Sequence, residues 1–226
     1  MNYEIKGDNL PVLLCRLDAG EQVMCESGAM SWMDDCIEMQ TEGGGIGKVL
    51  GRMISGEALF QNRYVAKMAG EIAFASKFPG SIVAYEVTPD KPVILQKSSF
   101  LACVGQVELS VFLQKKASAG FFGGEGFIMQ KVSGNGIVFA EIDGAALCYK
   151  LEAGQRKIVD TGYLAVMDAT CSIETQTVKG VKNVFLGGEG LFNTVITGPG
   201  QITLQTMPIS KTAMMLYGHM PHPQSK

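Results

Sequence analysis

The sequence predicts an all-β chain made of three internal repeats, and three observations predict it. The first is self-similarity. Ser55-Gly-Glu-Ala-Leu-Phe60, Gly123-Gly-Glu-Gly-Phe-Ile128 and Gly187-Gly-Glu-Gly-Leu-Phe192 share one pattern, with Glu57, Glu125 and Glu189 spaced by 68 and 64 residues. The second is local periodicity. Val93-Ile-Leu-Gln96, Val107–Leu113, Cys171–Val178 and Gln201–Thr206 alternate or run apolar over short spans bounded by turn residues, the mark of strands. The third is glycine, 28 in 226 residues or about 12%, against roughly 7% in average proteins. Nineteen of the 28 fall in the equivalent stretches 43–70, 120–136 and 180–200, so they read as recurring turns and not as linker.

Each repeat opens on a turn and a strand. Leu17-Asp-Ala-Gly-Glu-Gln-Val23 begins the first and Leu151-Glu-Ala-Gly-Gln-Arg-Lys157 the third, while the second is more divergent, with Val87-Thr-Pro-Asp-Lys-Pro-Val93. These lead to Ser27-Gly-Ala-Met30, Ser98-Ser-Phe-Leu101 and Thr161-Gly-Tyr-Leu164. After each shared glutamate comes a strand, then a glycine turn ending at Gly70, Gly136 or Gly200. Another strand follows, through Ile72–Phe74, Ile137–Phe139 or Ile202–Leu204. Helical periodicity is weak, with Lys48–Ile54 and Lys211–His219 as the two exceptions. The expectation is one β domain over 1–208, with repeats near 1–76, 77–142 and 143–208 and a tail over 209–226. Its architecture is expected to be a β-sandwich or barrel in which three units close about a pseudo-threefold axis and remove open sheet edges.

Composition narrows the function. With 46% hydrophobic residues the chain can bury a core, and a net charge of −3 argues against a protein that coats nucleic acid. No apolar run is long enough to span a bilayer as a helix, and the first residues lack the pattern of a secretory signal. The six cysteines form no C-x-x-C pair and read as reduced core thiols, so the expected location is cytoplasmic.

Ser27-Gly-Ala-Met30, Gly56-Glu57, Phe122-Gly-Gly-Glu-Gly126, Gly134-Asn-Gly136, Asp160-Thr-Gly162 and Thr197–Thr206 carry a resemblance over nearly the whole chain. In this order they resemble a family first catalogued as a domain of unknown function and now named for mitochondrial biogenesis. The resemblance implies a fold like that of the tryptophan RNA-binding attenuation protein, of double-stranded β-helix type, and a tendency to self-assemble. It implies no catalytic activity. Its fungal members imply a role in inner-membrane organisation, although no mitochondrial targeting segment is read at the start of this chain.

The candidate sites follow the repeats. Glu57, Glu125 and Glu189 read as solvated turn carboxylates that accept backbone N–H bonds. The sharper alternative groups them around the axis as a site for a hard cation. The segments before them combine cations with large apolar side chains: Lys48 and Arg52; Lys115, Lys116, Phe121 and Phe122; Lys179, Lys182 and Phe185. Such loops suit subunit contacts or an anionic membrane surface. Gly47-Lys48-Val49 lacks the hydroxyl residue of a phosphate-binding P-loop. RNA binding has only scattered lysines behind it. The only histidines are His219 and His222, in the tail, which leaves a metal enzyme or a nucleophile pair without a core imidazole. The 13 methionines read as core filling, and the lone Trp32 as core or interface. The expectation is therefore a non-enzymatic, self-assembling scaffold or binding protein, with no cofactor and a homo-oligomer, protein or membrane partner. A small-ligand or RNA-binding module using the glycine-rich loops is the alternative.

Overall fold

The structure, a computed structural model, describes residues 1–40, 61–115, 127–177 and 192–220. Those residues form seventeen strands and one α-helix. The first segment contains β1 (Asn2–Lys6), β2 (Val12–Leu17), β3 (Gln22–Glu26), β4 (Trp32–Met33), β5 (Ile37–Gln40), β6 (Gln61–Ala66) and β7 (Gly70–Ala75). The second contains β8 (Gly80–Val87), β9 (Val93–Gln96), β10 (Phe100–Lys115) and β11 (Phe127–Asp143). The third contains β12 (Ala146–Leu151), β13 (Arg156–Asp160), β14 (Leu164–Asp168), β15 (Ser172–Thr177), β16 (Phe192–Thr197) and β17 (Gly200–Gln205). The helix α1 (Ile209–His219) follows.

The pairing scheme is alike in the three segments. In the first, β2 and β4 pair with β7, while β3 and β5 pair with β6, all antiparallel. In the third, β12 and β14 pair with β17, while β13 and β15 pair with β16. The second makes the same contacts with two long strands. β8 lies on the end of β11 over Gly136–Asp143, β9 on its start over Met129–Val132, and β10 pairs with it along its length. The strands join into three sheets of four, ten and three strands, and none closes into a barrel. Closure was expected because it removes open edges; here β4, β13 and other strands stand at edges among the described residues.

Side chains that alternate inward build three cores. One packs Leu13, Cys15, Ile72 and Phe74 of the four-stranded sheet against Val23, Ile37, Leu101 and Phe139 of the ten-stranded sheet. A second lies around Val93, Leu95, Val132, Val138 and Ile142, with Ala165 and Val166 reaching in from the third segment. The third joins Leu151, Leu164, Met167 and Ile202 to Val159 and Ile196 of the three-stranded sheet. All six cysteines are free. Four are buried, but Cys148 is exposed and Cys36 half-buried, so the core reading fails for those two. Trp32, read as core or interface, is exposed.

Candidate functional site

The residues singled out by the sequence lie at one kind of place in the topology. Residues 41–60 connect β5 to β6, 116–126 connect β10 to β11, and 178–191 connect β15 to β16. The ends of these connections are held together by the last ladder pairs, Gln40 with Arg63, Lys115 with Phe127 and Thr177 with Phe192. Glu57, Glu125, Glu189, Lys48, Arg52, Lys116, Phe121, Phe122, Lys179, Lys182 and Phe185 lie outside the described residues. Lys115 ends β10, where only its backbone is described.

The structure supplies a second recurring feature. In the first segment Asp34 Oδ2 accepts the Glu71 N–H at 2.7 Å, and Cys36 Sγ lies 3.6 Å from the Ala69 carbonyl. In the third, Asp168 Oδ2 accepts the Gln201 N–H at 2.8 Å, and Cys171 Sγ lies 3.6 Å from the Pro199 carbonyl. A Cβ on Gly70 would meet Cys36 Sγ at 2.5 Å, and one on Gly200 would meet Cys171 Sγ at 2.6 Å. Carboxylate, thiol and glycine thus close a corner at which the chain stops one strand and starts the next. The second segment has Val104-Gly105 where an aspartate would stand. With no corner to close, β10 runs on for 16 residues and β11 for 17.

Where β10 leaves β3, a cleft of about 450 Å³ opens, lined by Gln22, Met24, Arg63, Gln106, Glu108 and Ser133. A guanidinium and a carboxylate share its walls, but no activated nucleophile does. The buried thiols of Cys15, Cys25 and Cys103 are each pushed up to about 12 by burial, so they stay protonated at neutral pH and are poor nucleophiles. Tyr85, also pushed to about 12 by burial, donates to Thr203 Oγ1 at 2.8 Å. Glu141 is buried and organises a turn, accepting the Ser76 hydroxyl and the Lys77 N–H, each at 2.6 Å. Among the described residues no group of acidic, histidine or cysteine side chains has the makings of a metal site.

Among the described residues the helix α1 carries the longest exposed run. Its first turn is tethered: Asp143 Oδ2 accepts the Ile209 N–H at 2.7 Å, and Lys211 Nζ meets Asp160 Oδ2 at 2.5 Å. From Ala213 onward every described residue is exposed, including Met214, Met215, Leu216, Tyr217 and Met220. No Asp or Glu occurs from Met207 to the last residue.

The Asp143 tether is pH-dependent. Burial raises its carboxyl, with the Ile209 N–H pulling it down and Glu141 pushing it up. A raised acid favours the fold below its ordinary value, and that contribution is lost as pH rises through the raised folded value. Asp143→Asn keeps an acceptor for Ile209 and cannot ionise. Its stability relative to the parent is therefore expected to improve from pH 4 to pH 7, read from paired thermal melts. A variant that loses ground over that range would show that ionised Asp143 stabilises the fold.

Residues 3–207 match the family described as Mitochondrial biogenesis AIM24. The chain belongs to that family. It is 26% identical over 219 residues to an uncharacterized protein of Streptococcus pyogenes serotype M6, covering 93% of this chain and 87% of that one. Its fold is also similar to the crystal structure of protein SPYM3_0169 from Streptococcus pyogenes, with a TM-score of 0.81, 24% identity, and coverage of 97% and 99% of the two chains. The family match ends before α1, so the tethered helix lies beyond the matched residues. The sequence reading missed the Asp–Cys corner, although its signal was present. Trp32-Met-Asp-Asp-Cys-Ile-Glu38 and Val166-Met-Asp-Ala-Thr-Cys-Ser-Ile-Glu174 differ by two insertions.

Proposed function

We propose that this protein is a non-enzymatic scaffold that self-assembles and meets a membrane surface through α1. The exposed helix carries the reading. Ala213–Met220 present Met214, Met215, Leu216, Tyr217 and Met220 to solvent, in a stretch free of acidic residues. Apolar side chains on a stretch that carries no acidic residue of its own suit insertion at the boundary between lipid headgroups and acyl chains. The inner-membrane role implied for fungal members of the family agrees with this. Buried thiols held protonated, and a sequence whose only histidines stand at 219 and 222, favour binding over catalysis. The alike pairing in the three segments supports three copies of one unit, arranged like the tryptophan RNA-binding attenuation protein.

Flotation with vesicles tests the membrane part. The protein is expected to float with vesicles containing anionic lipid. Leu216→Glu with Tyr217→Glu is expected to cut the floated fraction at least tenfold while leaving the thermal midpoint unchanged, since neither side chain is buried. Parent protein that stays at the bottom of the gradient with every vesicle overturns this part.

A further inference from the structure

Two pairings join successive segments of the ten-stranded sheet. β10 pairs with β3, Ala102 opposite Cys25 and Cys103 opposite Met24. β14 pairs with β9, Val166 opposite Leu95, Met167 opposite Ile94 and Asp168 opposite Val93. In each, the strand after a segment's turn adds to the strand before the turn of the preceding segment. The chain holds a third strand of each kind. By position these are β4, which follows Ser27–Ala29 as β10 and β14 follow the turns at Lys97–Ser99 and Thr161–Tyr163, and β13, which precedes its turn as β3 and β9 do. Among the described residues β4 pairs only with β7 and β13 only with β16.

Burial follows the pairing. Ala102 and Ile94 are fully buried and Val166 is 2% exposed, whereas Trp32 is 52% and Ile158 62% exposed. The register of the two existing junctions, carried to the third, sets Trp32 opposite Val159 and Met33 opposite Ile158. One step further it sets Asp34 opposite Lys157, as Asp168 stands opposite Val93, before the chain turns at Asp35. That pair joins opposite charges, which favours the ladder where like charges would oppose it. Two apolar pairs and one charge pair thus match across edges that nothing among the described residues covers.

We propose that β4 of one copy of this chain pairs with β13 of a second copy, in the register that β10–β3 and β14–β9 use inside the chain. This rests on the self-assembly part of the proposed function and names its interface. The two edges differ, so the contact is head-to-tail and yields a ring if the rotation closes and a filament if it does not. Aspartates on one edge and basic residues on the other keep each edge from pairing with its own kind.

The test uses full-length protein in which Cys148→Ser removes the exposed thiol. Met33→Cys and Ile158→Cys are made in separate chains, mixed and oxidised. A disulfide-linked heterodimer is expected from the mixture and from neither variant alone, because directly opposed strand residues meet the geometry of a disulfide. In parallel, Lys157→Glu, which sets a carboxylate opposite Asp34, should raise at least tenfold the concentration at which light scattering detects assembly, and Lys157→Arg should leave it unchanged. In a third variant that carries both cysteines, a disulfide formed only within the chain overturns the proposal, because the edges then close within a protomer. Assembly that forms no cross-link and ignores the charge reversal overturns it while leaving self-assembly standing. A protein that stays monomeric at every concentration overturns both.

Discussion

Gly134→Ala is expected to cost about 4 kcal/mol or more, while Gly20→Ala costs roughly 1–2 kcal/mol. Both glycines sit at positive φ, +115° and +85°. What separates them is the space a Cβ would need. At Gly20 nothing lies within 4 Å, so alanine pays only for its backbone conformation. At Gly134 the Cβ would stand 2.2 Å from the Gln106 carbonyl oxygen and 3.1 Å from the Val107 Cα. Both belong to backbone that cannot rotate away. β10 would have to separate from β11 at the Val107–Gly134 and Gln106–Asn135 pairs, in the middle of the longest ladder among the described residues. For a chain of this size the expected falls in midpoint are roughly 8–16 °C and 2–8 °C, read from thermal melts of the two variants. Equal losses at both positions would show that φ alone governs these glycines and that the strand approach is unimportant.

The same positions show what the sequence made legible. Strands were readable because their apolar residues alternate: Val93–Gln96 is β9 as expected, and Ile72–Phe74, Ile137–Phe139 and Ile202–Leu204 lie inside β7, β11 and β17. Lys211–His219 lies inside the helix α1. The fusion of strands in the second segment was not read. Gly134-Asn-Gly136 has the look of a turn, and turn chemistry is normally a reliable break. It failed here because a tight turn needs a partner to hold it, and the aspartate that does so in the other segments is Val104 in this one. Exposure of Trp32 was only half legible, since a lone tryptophan reads as core or interface. Only the sheet order shows that, among the described residues, its strand has one neighbour. The glutamates and basic loops that the repeats made conspicuous lie outside the described residues, whereas the helix that carries the functional reading had no repeat to announce it.

Phe139→Ala is expected to cost roughly 3–5 kcal/mol, the range for truncating a buried aromatic, and to do so in one cooperative transition. Phe139 is fully buried, and its ring meets Tyr3 edge-on with centroids 4.9 Å apart. Tyr3 belongs to β1 of the four-stranded sheet, and Phe139 to β11 of the ten-stranded one. The contact therefore crosses between sheets in a core that also gathers Leu101, Ala102 and Ile82 from the second segment around Leu13 and Phe74 from the first. A cavity there loosens both segments together, which is why one transition is expected and not a separate melting of residues 1–76. Urea unfolding of the parent, Tyr3→Leu, Phe139→Leu and the double variant isolates the ring pair. Its coupling is expected at about 0.5–1.5 kcal/mol beyond the burial term, with unchanged m-values. The truncation should cost much more than the coupling, because the volume lost from a close-packed interior outweighs the orientation of one ring pair. A loss below about 1 kcal/mol for Phe139→Ala, or two resolved transitions, would mean that the first segment folds without leaning on the second.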